Sequence, residues 1–142
     1  MKKFVKTYPF VIVLVFMTLV FGVLSPTFLD PGNLTNILKQ ASLLGFVALG
    51  MCFVLIGGGL DLSVGSIVAL SSVLIAGLSA TLPPIVGIHI ALLAGILIGI
   101  INGYFVTAFN FQPIIVTLST MAVVRGVAMA YSNSRPIFGT LP

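Results

Sequence analysis

Apolar residues fill this chain in long runs, and the polar positions gather in a few short interruptions. The first run, 8–24, ends in a loop from Ser25 to Gly32 punctuated by Pro26, Pro31 and Gly32. Asn33 reads as the N-cap of a second helix over 34–56, with Lys39 in its first turns placed to snorkel to the headgroups. Gly57, Gly58 and Gly59 stop that helix, because glycine loses the most backbone entropy and has no side chain to pack. Asp61, Ser63 and Ser66 follow, with oxygens suited to accept from the first free N–H groups of a new helix. A third segment over 62–82 closes at Pro83-Pro84, and a fourth runs over 85–109. After the polar turn Asn110-Phe111-Gln112, Pro113 reads as the first residue of a fifth helix, 113–131.

This pattern predicts an all-α, polytopic integral membrane protein with about five transmembrane or partly re-entrant helices, in one transmembrane domain over 1–142. The third segment, opening at the glycines, is the one expected to be re-entrant or broken. Its small residues Gly65, Ala69, Ser72, Ala76 and Ala80 form one helical stripe. In the fourth segment Gly87, Ala91, Gly95, Gly99 and Gly103 recur at every fourth position, a ridge for close helix packing in lipid.

Composition supports the membrane reading. Of 142 residues 59% are hydrophobic and 6% charged, against about 25% charged in soluble domains, and the mean hydropathy is +1.30. So few charges cannot cover a soluble surface. The net charge of +4 does not point to nucleic acid, because no basic patch exists beyond Lys2, Lys3 and Lys6. Those lysines precede the first apolar run and predict a cytoplasmic N-terminus. No small-x-small cleavage site follows at Leu24-Ser25-Pro26-Thr27-Phe28, so the run reads as an uncleaved first helix.

Little chemistry can be assembled. Asp30 and Asp61 are the only acids, His89 the only imidazole and Cys52 the only thiol, so paired carboxylates, a nucleophilic triad and a metal cluster are all excluded within the chain. The glycine run is no P-loop, since the Gly-Lys-Ser/Thr ending is absent. This inventory is too poor for an enzyme and calls for no cofactor, and an energised transporter would need its ATP hydrolysis on a separate subunit. Asp61, Asn102 and Arg125 stand out as polar groups inside apolar segments, where such groups face a bundle interior or a water-filled path. Asp61 reads equally as a helix cap, Asn102 as an interhelical hydrogen-bonding group, and Arg125 as a snorkelling side chain. Asp61 and Arg125 are also complementary in charge. With Ser63, Ser66 and Thr117 they make up the candidate path-lining or conformational residues; His89 reads as interfacial.

The stretch Gly58-Gly59-Leu60-Asp61-Leu62-Ser63-Val64-Gly65-Ser66 resembles the G-G-I-D-L-S-V-G-S signature of permease subunits of bacterial monosaccharide ABC importers, the ribose/xylose/arabinose/galactoside group. Asn33-Leu34-Thr35-Asn36-Ile37-Leu38, Gly99-Ile100-Ile101-Asn102-Gly103 and Gln112 to Met121 with Arg125-Gly126 are similar to three further family motifs in the same order. Leu60 replaces Ile, Ile114 Phe and Ser119 Gly, all compatible with membrane burial. The resemblance implies the N-terminal half of a permease of roughly ten helices in the bacterial inner membrane. It implies a second permease copy, a cytoplasmic ATPase subunit and a periplasmic sugar-binding protein as partners, with membrane lipid around the whole. Permeases for branched-chain amino acids or nucleosides share the architecture. An ion-coupled secondary transporter and a structural membrane subunit are the readings outside it.

Overall fold

A computed structural model describes residues 7–137. The lysines at 2, 3 and 6 and the exit at Gly139-Thr140-Leu141-Pro142 lie outside the described residues. Five helices make up the described chain: α1 (Pro9–Leu24), α2 (Pro31–Ile56), α3 (Val64–Leu78), α4 (Pro84–Ala108) and α5 (Pro113–Tyr131). It is all-helical, and α2, α4 and α5 are each long and apolar enough to cross a membrane. The chain is a polytopic membrane protein. It forms two compact units, residues 1–48 and 49–142.

In the first unit, the loop between α1 and α2 folds back on the end of α1. The Phe21 and Phe28 ring centroids are 5.7 Å apart, and Leu29 packs over Gly22. α2 begins three residues before the expected start at 34. Pro31 opens it, its fixed φ already helical and its missing N–H unneeded there. The Asp30 carbonyl accepts from the Leu34 N–H at 2.9 Å. Asn33 therefore lies inside the first turn and is not the N-cap; its Nδ2 donates back to the Phe28 carbonyl at 2.7 Å. No residue of α1 or α2 is buried, as suits side chains that meet lipid tails.

The end of α2 shows how the three glycines divide the work. Gly59 N–H donates to the Val54 carbonyl and Gly58 N–H to the Leu55 carbonyl, both at 3.0 Å. These are the paired bonds of a Schellman cap, and Gly58 holds the left-handed conformation it requires, φ +78°. The chain then runs non-helically from Gly59 to Ser63.

In the second unit α3, α4 and α5 all pack on one another, α3 most extensively. Gly87 and Gly95 of α4 face Ile75 and Ile67 of α3, so these two helices are antiparallel. Tyr131 of α5 packs on Gly77, and Thr117 lies by Leu60, so α3 and α5 run the same way. Leu70, Val124 and Ala128 form the core, with Val73, Leu74 and Ile98 packed against it.

α3 is shorter than the expected 62–82. Its fifteen residues span about 22 Å, short of the roughly 30 Å hydrocarbon core. It starts at Val64 because Asp61 and Ser63 are held in a turn, and it ends at Leu78 in a turn leading to Pro83. Its buried positions are Ser66 and Leu70, one place around from the stripe of small residues. A helix with neighbours on two sides needs two contact faces, and Ser72 of the stripe is exposed.

The α4 ridge divides in the same way. A Cβ at Gly87 would lie 3.4 Å from the Ile75 Cα and one at Gly95 would lie 3.5 Å from Ile67, while Gly99 and Gly103 meet nothing within 4 Å. In the antiparallel register Gly99 falls opposite the residues before Val64, where α3 has not begun. Among the described residues, the ridge packs only from Gly87 to Gly95. Beyond it Tyr104, Phe105, Phe109 and Phe111 cluster around the Asn110 turn, with the Phe105 and Phe111 planes 4° apart.

The cap at Gly58 gives a direct expectation. Gly58→Ala should lower stability by about 1–2 kcal/mol, the cost of an L-residue in the left-handed region, while Gly57→Ala should cost less. Denaturant titration of the two variants in detergent compares them.

Candidate functional site

The polar residues of the break and of α4 and α5 form one connected set. Asp61 Oδ1 accepts from the Ser63 backbone N–H at 2.7 Å and from the Ser63 hydroxyl at 2.6 Å. The Ser63 oxygen accepts from Asn102 Nδ2 at 3.1 Å, and Asn102 Oδ1 accepts from the Thr120 hydroxyl at 2.6 Å. Thr117 reinforces the junction, donating to the Leu60 carbonyl at 3.3 Å as well as to Pro113 in its own helix at 2.9 Å. Ser63 is completely buried, and Asn102 and Thr117 nearly so.

Every link in this chain points the same way. Thr120 donates to Asn102, Asn102 to Ser63, and Ser63 to the Asp61 carboxylate, so each bond polarises the next toward the one negative charge. Both halves of the Asn102 amide are used across helices. Asp61 takes the N–H of Ser63, the residue before α3, and not those of the first turn of the helix. It orients the entry to α3 and makes no conventional N-cap bond.

Arg125 and Ser66 lie elsewhere. Both line a cleft of about 490 Å³ between α3 and α5, with Gly65, Ala69, Met121, Met129 and Ser132. Asp61 and Arg125 make no ion pair; the Asp61 carboxylate is met by Ser63 instead. His89 is exposed and its ring donates from Nδ1 to the Ile85 carbonyl at 2.7 Å. Cys52 is exposed. No group of three or more His, Cys, Asp or Glu that could hold a metal occurs among the described residues.

The residue that sequence reasoning left out of the site is Thr120. A signal for it existed, because Thr117 and Thr120 are three apart and share a helix face. Ser119 turns away and bonds the Ile115 carbonyl in its own helix. The Gly77–Tyr131 contact has no such signal, since nothing local pairs a glycine with a ring 54 residues on.

Two tests follow from this network. Asp61→Asn keeps an oxygen that can accept both Ser63 bonds and should preserve most of the stability, whereas Asp61→Ala should cost about 1–3 kcal/mol by leaving Ser63 unpaired. Equal loss in the two would assign the effect to the charge. A double-mutant cycle of Asn102→Ala with Thr120→Ala should return a coupling of about 0.6 kcal/mol, up to 1.7, as for hydrogen bonds between helices in lipid. Additive effects would mean that the two side chains do not bond.

Comparison with known proteins places these features in a wider setting. The ribose import permease protein RbsC of Bacillus subtilis is 41% identical over 124 residues, 87% of this chain and 38% of that protein. The L-arabinose ABC transporter permease protein AraH of Azospirillum brasilense is 44% identical over 126 residues, 86% of this chain and 37% of that protein. The D-allose transport system permease protein AlsC of Escherichia coli is 35% identical over 133 residues, 89% of this chain and 40% of that protein. The chain thus spans about two fifths of the length of these relatives. No solved structure matches it. The family described as branched-chain amino acid transport system / permease component matches residues 33–137, a stretch that holds the helix break, Asn102, Thr120 and the whole of α5. With that match covering well over half its length, the chain belongs to this permease family.

Proposed function

We propose that the chain is part of the permease subunit of an ATP-driven importer, contributing to the path of a monosaccharide across the bacterial inner membrane. One observation carries this reading: the relatives that align with 86–89% of the chain bear names of ribose, arabinose and allose permeases. The residue inventory agrees with it. Neither a phosphate-binding loop nor a pair of catalytic groups is present in the sequence, so ATP hydrolysis falls to a separate cytoplasmic ATPase subunit. A periplasmic sugar-binding protein delivers the substrate, and a second permease copy completes the path. A cytoplasmic N-terminus belongs to this reading, supported by Lys2, Lys3 and Lys6 ahead of the first apolar run.

In this reading Asp61, Ser63, Asn102 and Thr117 act conformationally. They hold the α2–α3 break in one shape, so that helices beside the path move as a unit when the ATPase opens and closes. The family description names branched-chain amino acids, which makes leucine the informative competitor.

The test is uptake into proteoliposomes holding the permease, its ATPase and its binding protein. Labelled ribose, arabinose, allose and leucine are offered in turn, with and without internal ATP and a protonophore. One of the sugars should accumulate, only with ATP and equally well with the protonophore. Accumulation of leucine alone would transfer the chain to amino acid import, and loss with the protonophore would make it ion-coupled.

A further inference from the structure

Two sets of polar side chains in the second unit differ in how far their hydrogen bonds are met within it. In the network around Asp61 every hydroxyl and amide has a partner. In the cleft between α3 and α5 two groups have none. Ser66 is 5% exposed, yet its hydroxyl makes no hydrogen bond; only its backbone N–H does, to the Ser63 carbonyl. Ser72, Ser119 and Thr107 turn back on their own backbone; Ser66 does not, and unlike Ser71 it is buried. No fully enclosed side-chain N or O atom among the described residues lacks a partner, so the unbonded Ser66 hydroxyl opens on the cleft it lines. Arg125 lines the same cleft, and its guanidinium has neither hydrogen bond nor ion pair among the described residues.

A buried hydroxyl left unpaired is costly unless water or a ligand meets it, and the exposed Arg125 leaves its guanidinium free to reach a molecule in the cleft. The rest of the lining suits a small molecule with both polar and C–H surface. Met121 and Met129 are adaptable apolar walls, Ala69 leaves room, and Ser132 offers a second hydroxyl oxygen. The cleft volume of about 490 Å³ lies within the roughly 300–1,000 Å³ usual for small-molecule sites. The guanidinium fork donates several N–H groups in one plane, matching adjacent hydroxyl oxygens. A serine hydroxyl can both donate and accept, as sugar hydroxyls do.

We propose that the α3–α5 cleft is a subsite for a neutral, polyhydroxylated substrate, held by the Arg125 guanidinium and the Ser66 hydroxyl. The proposal rests on the sugar-permease reading above. It assigns substrate contact to Ser66 and Arg125 and withholds it from Ser63 and Asn102, whose side chains are bonded to one another and to their neighbours.

The experiment uses the full permease with its ATPase and binding protein in proteoliposomes. Ser66→Cys is placed in an assembly whose other cysteines, Cys52 included, are replaced by serine, so that a small, cationic, water-borne methanethiosulfonate reagent has one target. Labelling should occur, should abolish uptake, and should be slowed severalfold by saturating transported sugar chosen from ribose, arabinose and allose. Ser66→Ala should raise KM roughly fivefold, the weight of one neutral hydrogen bond, with Vmax kept. Failure of the reagent to reach Ser66→Cys would mean that protein or lipid fills the cleft, and would overturn the proposal. So would labelling without loss of uptake, protection by a sugar phosphate but not by free sugar, or an unchanged KM in Ser66→Ala. These outcomes are read against a wild-type assembly that transports sugar. A wild type that moves none of the three would instead overturn the sugar reading, and the subsite with it.

Discussion

A helix that breaks inside lipid must find partners for its freed backbone from within the protein, because the hydrocarbon offers none. The break between α2 and α3 meets that constraint in two ways. The Schellman bonds at Gly58 and Gly59 finish α2 with backbone alone. The remaining groups are met by side chains from other helices: Thr117 at the Leu60 carbonyl and Asn102 at Ser63. Asp61 terminates the chain of bonds and gives it one direction. Removing a member leaves another polar atom of the set without a partner.

That local solution shapes the packing around it. Because Asp61 and Ser63 occupy a turn, α3 starts at Val64 and is too short to follow α4 along its whole length. The small-residue ridge of α4 is close-packed from Gly87 to Gly95 and open at Gly99 and Gly103. On its other side α3 is pinned to α5 at both ends, by Leu60–Thr117 and by Gly77–Tyr131. The cleft lined by Ser66 and Arg125 lies between the same two helices, beside the Leu70, Val124 and Ala128 contact.

Much of this was legible in the residues. The limits of the five apolar segments came within a few positions of the helices, since length, hydropathy and Gly/Pro punctuation are local properties. Even the errors were local: Pro31 opens α2 ahead of Asn33 because its φ is already helical, and α3 stops at Leu78 because the turn before Pro83 intervenes. The family was legible too, through Gly58 to Ser66 and the motifs around Asn102 and Pro113.

Partnership was not legible. Nothing in the order of residues says that Ser63 bonds Asn102, 39 positions away, or that Asp61 meets a serine and not Arg125. Stripes of small residues predicted contact, but which part of a stripe is covered depends on where the opposing helix begins. The sequence by itself determined an all-helical membrane chain with a break at the glycines, because periodicity, hydropathy and backbone freedom act over a few residues. Only the tertiary structure decided which polar groups are closed on one another and which face a cleft, because in lipid that depends on which donors and acceptors the packing brings within about 3 Å of each other.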